Sequence, residues 1–209
     1  MIGVVTGRDG LVRCDWGSAK PDYVDYHDAE WGVPVDDDDR LFEKLCLEGF
    51  QSGLSWYTIL VRRDHFRRAF FDFDYSRVAT MGPGDVERLL ADPGIIRHRG
   101  KIESTINNAR RSLDVVDRYG SLGAFFWSFE PHPTDRVVAA VTPESTALAR
   151  ELKKLGFSFV GPTTAYAFMQ AMGIVNDHHQ QCFAHPLVAA ARDSFERPRP
   201  QASGDPVEL

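Results

Sequence analysis

Apolar residues recur along most of this chain at intervals of three and four, the period of an amphipathic α-helix. Ile102, Ile106, Ala109, Leu113 and Val116 make one stripe, predicting a long helix from Lys101 to Tyr119, and Leu148, Leu152 and Leu155 make another. Asp74 and Thr142 stand where helix N-caps belong, the latter followed by Pro143 at the first helical position. No alternating stretch longer than a few residues competes, "DRVVAAVT" being the nearest candidate strand, and there is no internal repeat. The pattern predicts an all-α fold. Residues 11–186 read as one folded unit, residues 1–10 as a flexible, glycine-rich leader, and residues 187–209, polar and proline-rich, as a disordered tail.

One helical stripe carries a charge inward. In "LFEKLCLEGFQSGLSW", Leu41, Leu45 and Glu48 fall at i, i+4 and i+7, so Glu48 shares the face that should meet the core. An unpaired buried carboxylate is expensive. Glu48 therefore caps a neighbouring helix, pairs with an arginine, or waits for a ligand. Cys46, on the same helix, reads as an ordinary core thiol.

Composition narrows the classes. The chain has 209 residues, 43% of them hydrophobic, enough for a sizeable core. It has no apolar run long enough to span a bilayer and no signal-peptide pattern, so a cytoplasmic protein without membrane partners is expected. Three scattered cysteines, Cys14, Cys46 and Cys182, suit reduced thiols or a metal better than a disulfide framework. The net charge of −6 argues mildly against nucleic acid, but a whole-chain sum hides local patches.

Four stretches carry candidate chemistry. "RCDWGSAKPDYVDYHDAEWG" holds Cys14 and His27, and "NDHHQQC" places His178 and Cys182 at i, i+4, with His179 a rival at i, i+3. Together they offer a Cys₂His₂ set, which for zinc leaves no open coordination position and would be structural. Two free thiols and two ordinary histidines are the alternative. The second stretch is Glu48 with its aromatic neighbours Trp56, Tyr23 and Tyr26, which suit either a nucleobase pocket or plain core. Third, "GIIRHRGKI" sets Arg97, Arg99 and Lys101 around Gly100 at a helix start, a natural seat for phosphate and equally a solvated turn. Fourth, "LKKLGFSFVGPTTAYAFMQAMG" reads as helix, short hairpin and helix, with Gly161 and the first-turn amides around Thr163 and Thr164 open to a phosphate.

These stretches, with "RCDW", "YHDAEWGVP", "FFWSF", "GFSFVGPTTAYAFMQAMGIVNDH" and the following Cys182, resemble the bacterial 3-methyladenine DNA glycosylase I family, across the whole folded body and in the family's order. The resemblance implies a helix-hairpin-helix glycosylase fold, a monomer acting on alkylated double-stranded DNA, and removal of 3-methyladenine without lyase activity. It implies a structural zinc on Cys14, His27, His178 and Cys182. It further implies that Glu48, Tyr26 and Trp56 form the base pocket with Trp16 and Tyr23 around them. Gln51, Gly53 and Leu54 would fill the gap left by the flipped nucleotide. On this view Glu48 gains its ion-pair partner only when the cationic lesion arrives. A catalytic aspartate has no clear equivalent, Asp177 being only a weak candidate. Two rivals remain, a non-catalytic zinc-stabilised DNA-binding module and a metal-dependent hydrolase.

Overall fold

The computed structural model describes residues 3–132 and 139–200. Among them the architecture is helical: α1 (Pro21–Ala29), α2 (Asp38–Gln51), α3 (Trp56–Leu60), α4 (Arg63–Ala69), α5 (Tyr75–Val78), α6 (Pro83–Ala91), α7 (Arg99–Tyr119), α8 (Leu122–Trp127), α9 (Pro143–Lys154), α10 (Pro162–Ala171) and α11 (Ala184–Ser194). The expected leader differs. Val4–Thr6 (β1) and Val12–Cys14 (β2) pair as an antiparallel hairpin, closed by the buried Arg13 guanidinium, which binds both Asp9 and Asp28. Residues 135–138, the first half of "DRVVAAVT", lie outside the described residues.

The middle of the molecule is α2. Asp37 caps it by accepting from the Arg40 amide at 2.9 Å, and every residue from Leu41 to Phe50 is buried. A helix buried all round must be central, and α2 packs against α3, α7, α8 and α10. Its first turn also orients a neighbour: the Asp38 carboxylate accepts from the amides of Leu122 and Gly123 at the start of α8, where the free N–H groups and the helix dipole favour an anion.

The stripe of α7 is turned from the one read in the sequence. Ile102, Ile106 and Ala109 are buried, but Leu113 is 42% exposed, and Val115 and Tyr119 enter the core instead. At 3.6 residues per turn Leu113 lies only about 20° around the helix from Ile102, so the change of face reflects the several elements packed on α7, which are α2, α5, α6 and α8. A polar row on the same helix supports the hairpin between α9 and α10. Asn108 donates to the Ser158 carbonyl and accepts from its amide, Ser104 donates to the same carbonyl, and Asn107 donates to the Gly156 carbonyl. Gly156 takes φ +86 to turn the chain out of α9.

The tail is the second difference. Residues from Leu187 to Ser194 continue α11, and Phe195 then packs on Trp127 with ring centroids 4.6 Å apart. Arg192 and Arg197 share the Glu130 carboxylate. Up to residue 200 the polar composition belongs to an amphipathic segment with a docking face, and residues 201–209 of the expected tail lie outside the described residues.

Candidate active site and metal centre

Cys14 ends β2, His27 lies on α1, and His178 and Cys182 lie between α10 and α11. All four are buried, and their ligand atoms lie within 4.8 Å of one another. The Cys14 Sγ is 3.8 Å from His178 Nδ1, and the Cys182 Sγ is 3.5 Å from His27 Nε2 and 3.7 Å from His178 Nδ1. A tetrahedral zinc with Zn–S of about 2.3 Å and Zn–N of about 2.0–2.1 Å needs S···N edges of about 3.5 Å, so the donor set fits. The ring nitrogens agree. His27 Nδ1 faces Asp28 at 2.8 Å and His178 Nε2 faces the Trp31 carbonyl at 2.9 Å, which leaves the other nitrogen of each ring as the ligand. The rival His179 instead donates its backbone amide to Cys14 Sγ.

Burial pushes the Cys14 thiol up to about 12 and the His178 imidazole down to about 4. Two buried thiolates need a cation to offset their charge. Close approach also explains a glycine: a Cβ at Gly17 would lie 2.4 Å from the His27 ring.

Next to this cluster lies an aromatic pocket. Tyr26 comes from α1, Lys44 and Glu48 from α2, Trp56 from the start of α3. The Tyr26 and Trp56 rings are 5.4 Å apart and tilted by 44°. Trp16 stands between the two sites, 5.3 Å from His27 and 6.2 Å from Tyr26, with Tyr23 edge-on to it. The buried Trp56 Nε1 has no hydrogen-bond partner among the described residues. Burial, with the Glu48 charge adding to it, holds the Tyr26 hydroxyl in its protonated form.

Glu48 is buried as its stripe implied, but it is not waiting for a cation. The Lys44 ammonium lies 2.7 Å from its carboxylate, donates to the Tyr26 hydroxyl at 2.9 Å, and sits 3.3 Å from the centre of the Trp56 ring. This corrects the expectation of a partnerless acid. Lys44 stands at i, i+4 from Glu48, a spacing that brings side chains together, but a lysine is so seldom buried that the spacing alone does not reveal the pair. Two further pairs rim the pocket: Arg63 grips Glu30 with two hydrogen bonds, and Arg67 grips Glu43. A larger cavity of about 500 Å³ beside Glu130 and Arg192 shares no lining residue with this one.

The expected DNA-facing residues divide. Gly53 takes φ +79 in the loop after α2, and Leu54 beside it is 40% exposed, while Gln51 is half-buried. Arg97 and Arg99 are exposed, Arg99 pairing with Glu87. Gly161 caps α10, and a Cβ there would meet nothing within 4 Å, so this face is open; Thr163 is exposed and Thr164 half-buried. The hairpin tip joins the other two elements. Phe159, held at φ +57, sets its ring 6.2 Å from His98 at the start of α7 and lies against Gly49 of α2.

Lys101 does not belong to that surface. It is 7% exposed, and its ammonium donates to the carbonyls of Phe50 and Ser52 at 2.8 and 2.6 Å. It closes the C-terminus of α2 rather than reaching for phosphate. Asp177 is likewise committed, accepting from Tyr166 and Gln170 at 2.6 and 2.8 Å.

Residues 16–185 match the model of the methyladenine glycosylase family. The chain belongs to this family. It is 49% identical to DNA-3-methyladenine glycosylase 1 of Escherichia coli strain K12 over 183 residues, covering 84% of this chain and 98% of that protein. A crystal structure of 3-methyladenine DNA glycosylase I superposes with a TM-score of 0.77 at 50% identity, over 83% of this chain and 100% of that one. A tyrosine-to-phenylalanine variant of 3-methyladenine DNA glycosylase I, solved with 3-methyladenine bound, gives 0.77 at 37% identity over 83% and 97%.

Proposed function

We propose that this chain is a monofunctional DNA glycosylase that hydrolyses the N-glycosidic bond of 3-methyladenine in alkylated duplex DNA, opening base excision repair. One observation carries it: a buried carboxylate, Glu48, shares one cationic partner, the Lys44 ammonium, with the Tyr26 hydroxyl and the Trp56 ring. The relatives named above, and the one solved with 3-methyladenine, support the substrate.

The chemistry follows from the base. Methylation at N3 makes adenine cationic within the nucleotide and weakens its bond to the sugar. A buried anion then favours the lesion over neutral adenine. Because the base departs neutral, no strong general acid is needed. Glu48 acts as recogniser and as an electrostatic contributor to the oxocarbenium-like sugar while water attacks. Trp56 and Tyr26 hold the flipped base, Trp16 and Tyr23 support them, and the free Trp56 N–H is a spare donor for a ring nitrogen.

Gly53 and Leu54, with Gln51 behind them, fill the space the nucleotide leaves. Arg97, Arg99, Gly161, Thr163 and Thr164 hold the backbone, so binding weakens as salt rises. Lys101 serves that surface indirectly, through the loop it ties down. Zinc on Cys14, His27, His178 and Cys182 supplies a structural clip between the two ends of the folded body, because four protein ligands leave no open position. In the hairpin, Pro162, Thr163 and Thr164 stand where bifunctional helix-hairpin-helix enzymes carry a lysine, so no Schiff base forms.

The test is incubation of the purified protein with methylated duplex DNA, followed by chromatography of the released bases and borohydride trapping. Free 3-methyladenine with no trapped protein is the expected result. DNA binding without base release would favour the non-catalytic zinc module.

A further inference from the structure

The Lys44 ammonium meets the three groups that a flat cation would use in this pocket: the Glu48 carboxylate at 2.7 Å, the Tyr26 hydroxyl at 2.9 Å and the Trp56 ring at 3.3 Å from its centre. The space left beside it is small. A cavity of about 40 Å³ lies among Tyr26, Glu30, Lys44 and Trp56, room for about one water and far short of a purine.

We infer that Lys44 is an internal competitor of the damaged base: its ammonium fills the base seat in the resting protein and is displaced when a cationic base enters. The inference rests on the base-pocket assignment above and adds a selecting residue to it. A cationic base exchanges one partner of Glu48 for another, so the carboxylate stays paired throughout. A neutral base that enters the same seat breaks the buried ion pair and gives no charge in return. Lys44 thereby raises the threshold against undamaged bases more than against the lesion.

The surroundings suit a movable side chain. Four methylenes separate the ammonium from α2, and the Glu30 and Glu43 carboxylates border the same cavity, giving the displaced charge a second seat. Both already bind arginines, Arg63 and Arg67, so neither holds Lys44 in the resting state. Burial pulls the Lys44 ammonium below the ordinary lysine range, with Glu48 acting in the opposite direction. The charged form is therefore held chiefly by the partner that the base would take over.

The experiment measures binding of 3,9-dimethyladenine, a fixed cation like the methylated base on its sugar, and of neutral 9-methyladenine by quenching of tryptophan fluorescence, in the parent and in Lys44→Met. Removing the competitor is expected to tighten both ligands by about tenfold or more, with the larger gain for neutral 9-methyladenine, so that discrimination falls. Parent binding with equal or weaker binding by a folded Lys44→Met overturns the inference and leaves the pocket assignment standing. Absence of binding by both folded proteins overturns the pocket assignment and the inference together. Should Lys44→Met not fold, NMR of the parent with labelled lysine gives the answer independently. A Lys44 ε-methylene resonance that shifts on saturation with 3,9-dimethyladenine supports displacement, and one that stays in place at saturation overturns it.

Discussion

Lys101, in the first turn of α7, holds the backbone carbonyl of Ser52 at 2.6 Å and that of Phe50 at 2.8 Å. A basic residue in a "RHRGK" turn has thus been turned inward to anchor the loop that carries Gly53 and Leu54. Lys101→Met leaves both buried carbonyls without this donor and should destabilise the protein by about 1–3 kcal/mol. The slope of log binding against log salt should stay at the parent value. Arg97→Ala, by contrast, should lower that slope by about 0.9 if Arg97 meets one phosphate. A slope reduced equally by both variants would return Lys101 to the DNA surface.

The zinc assignment predicts one zinc per chain by mass or atomic spectroscopy. Cys182→Ser should lose it, and with it about 4 kcal/mol for a metal that the parent holds well above its dissociation constant. For a chain of this size, that lowers the thermal midpoint by about 10 °C. Chelation should lower the midpoint and activity together. A chelated protein that keeps its midpoint and loses turnover alone would instead indicate a catalytic metal.

Gly17→Ala tests the same centre sterically. The added methyl would lie 2.4 Å from the His27 ring, so the imidazole or the backbone must shift. Weaker zinc retention in competition with a chelator is expected, with Trp16 fluorescence altered. Retention equal to the parent would mean that the ring can yield without cost.

The ordered C-terminal segment predicts that Phe195→Ala costs about 1–2 kcal/mol, since a half-buried ring leaves the Trp127 face. Urea denaturation measures it. An unchanged midpoint would mean that residues past α11 do not dock in solution.

Much of this was legible in the sequence where a residue type and a period pointed the same way. The α2 stripe placed Glu48 in the core, Thr142 and Pro143 located the start of α9, and the Cys₂His₂ set was found from spacing and resemblance. What escaped had physical reasons. Lys44 and Lys101 are buried because each meets partners supplied by other parts of the fold, Tyr26 and Trp56 for one, backbone carbonyls for the other. The β1–β2 hairpin is too short to show a period of two, and Arg13 holds it through Asp28 of α1, which only the folded chain brings near. Phe159 escaped because φ +57 is a conformation expected of glycine. Asp177 is held by Tyr166 and Gln170, so Asp177→Asn should alter stability before it alters the rate of base release.

The most direct test of the glycosylase chemistry is the single-turnover release of 3-methyladenine from methylated duplex DNA by the parent and by Glu48→Gln, at matched fold and zinc content. The variant keeps the size of the side chain and removes the buried anion. Its rate is expected to fall by about 100-fold, the scale on which one preorganised electrostatic group contributes. Release at the parent rate would show that Glu48 serves only to pair Lys44, and would remove the buried acid from lesion recognition.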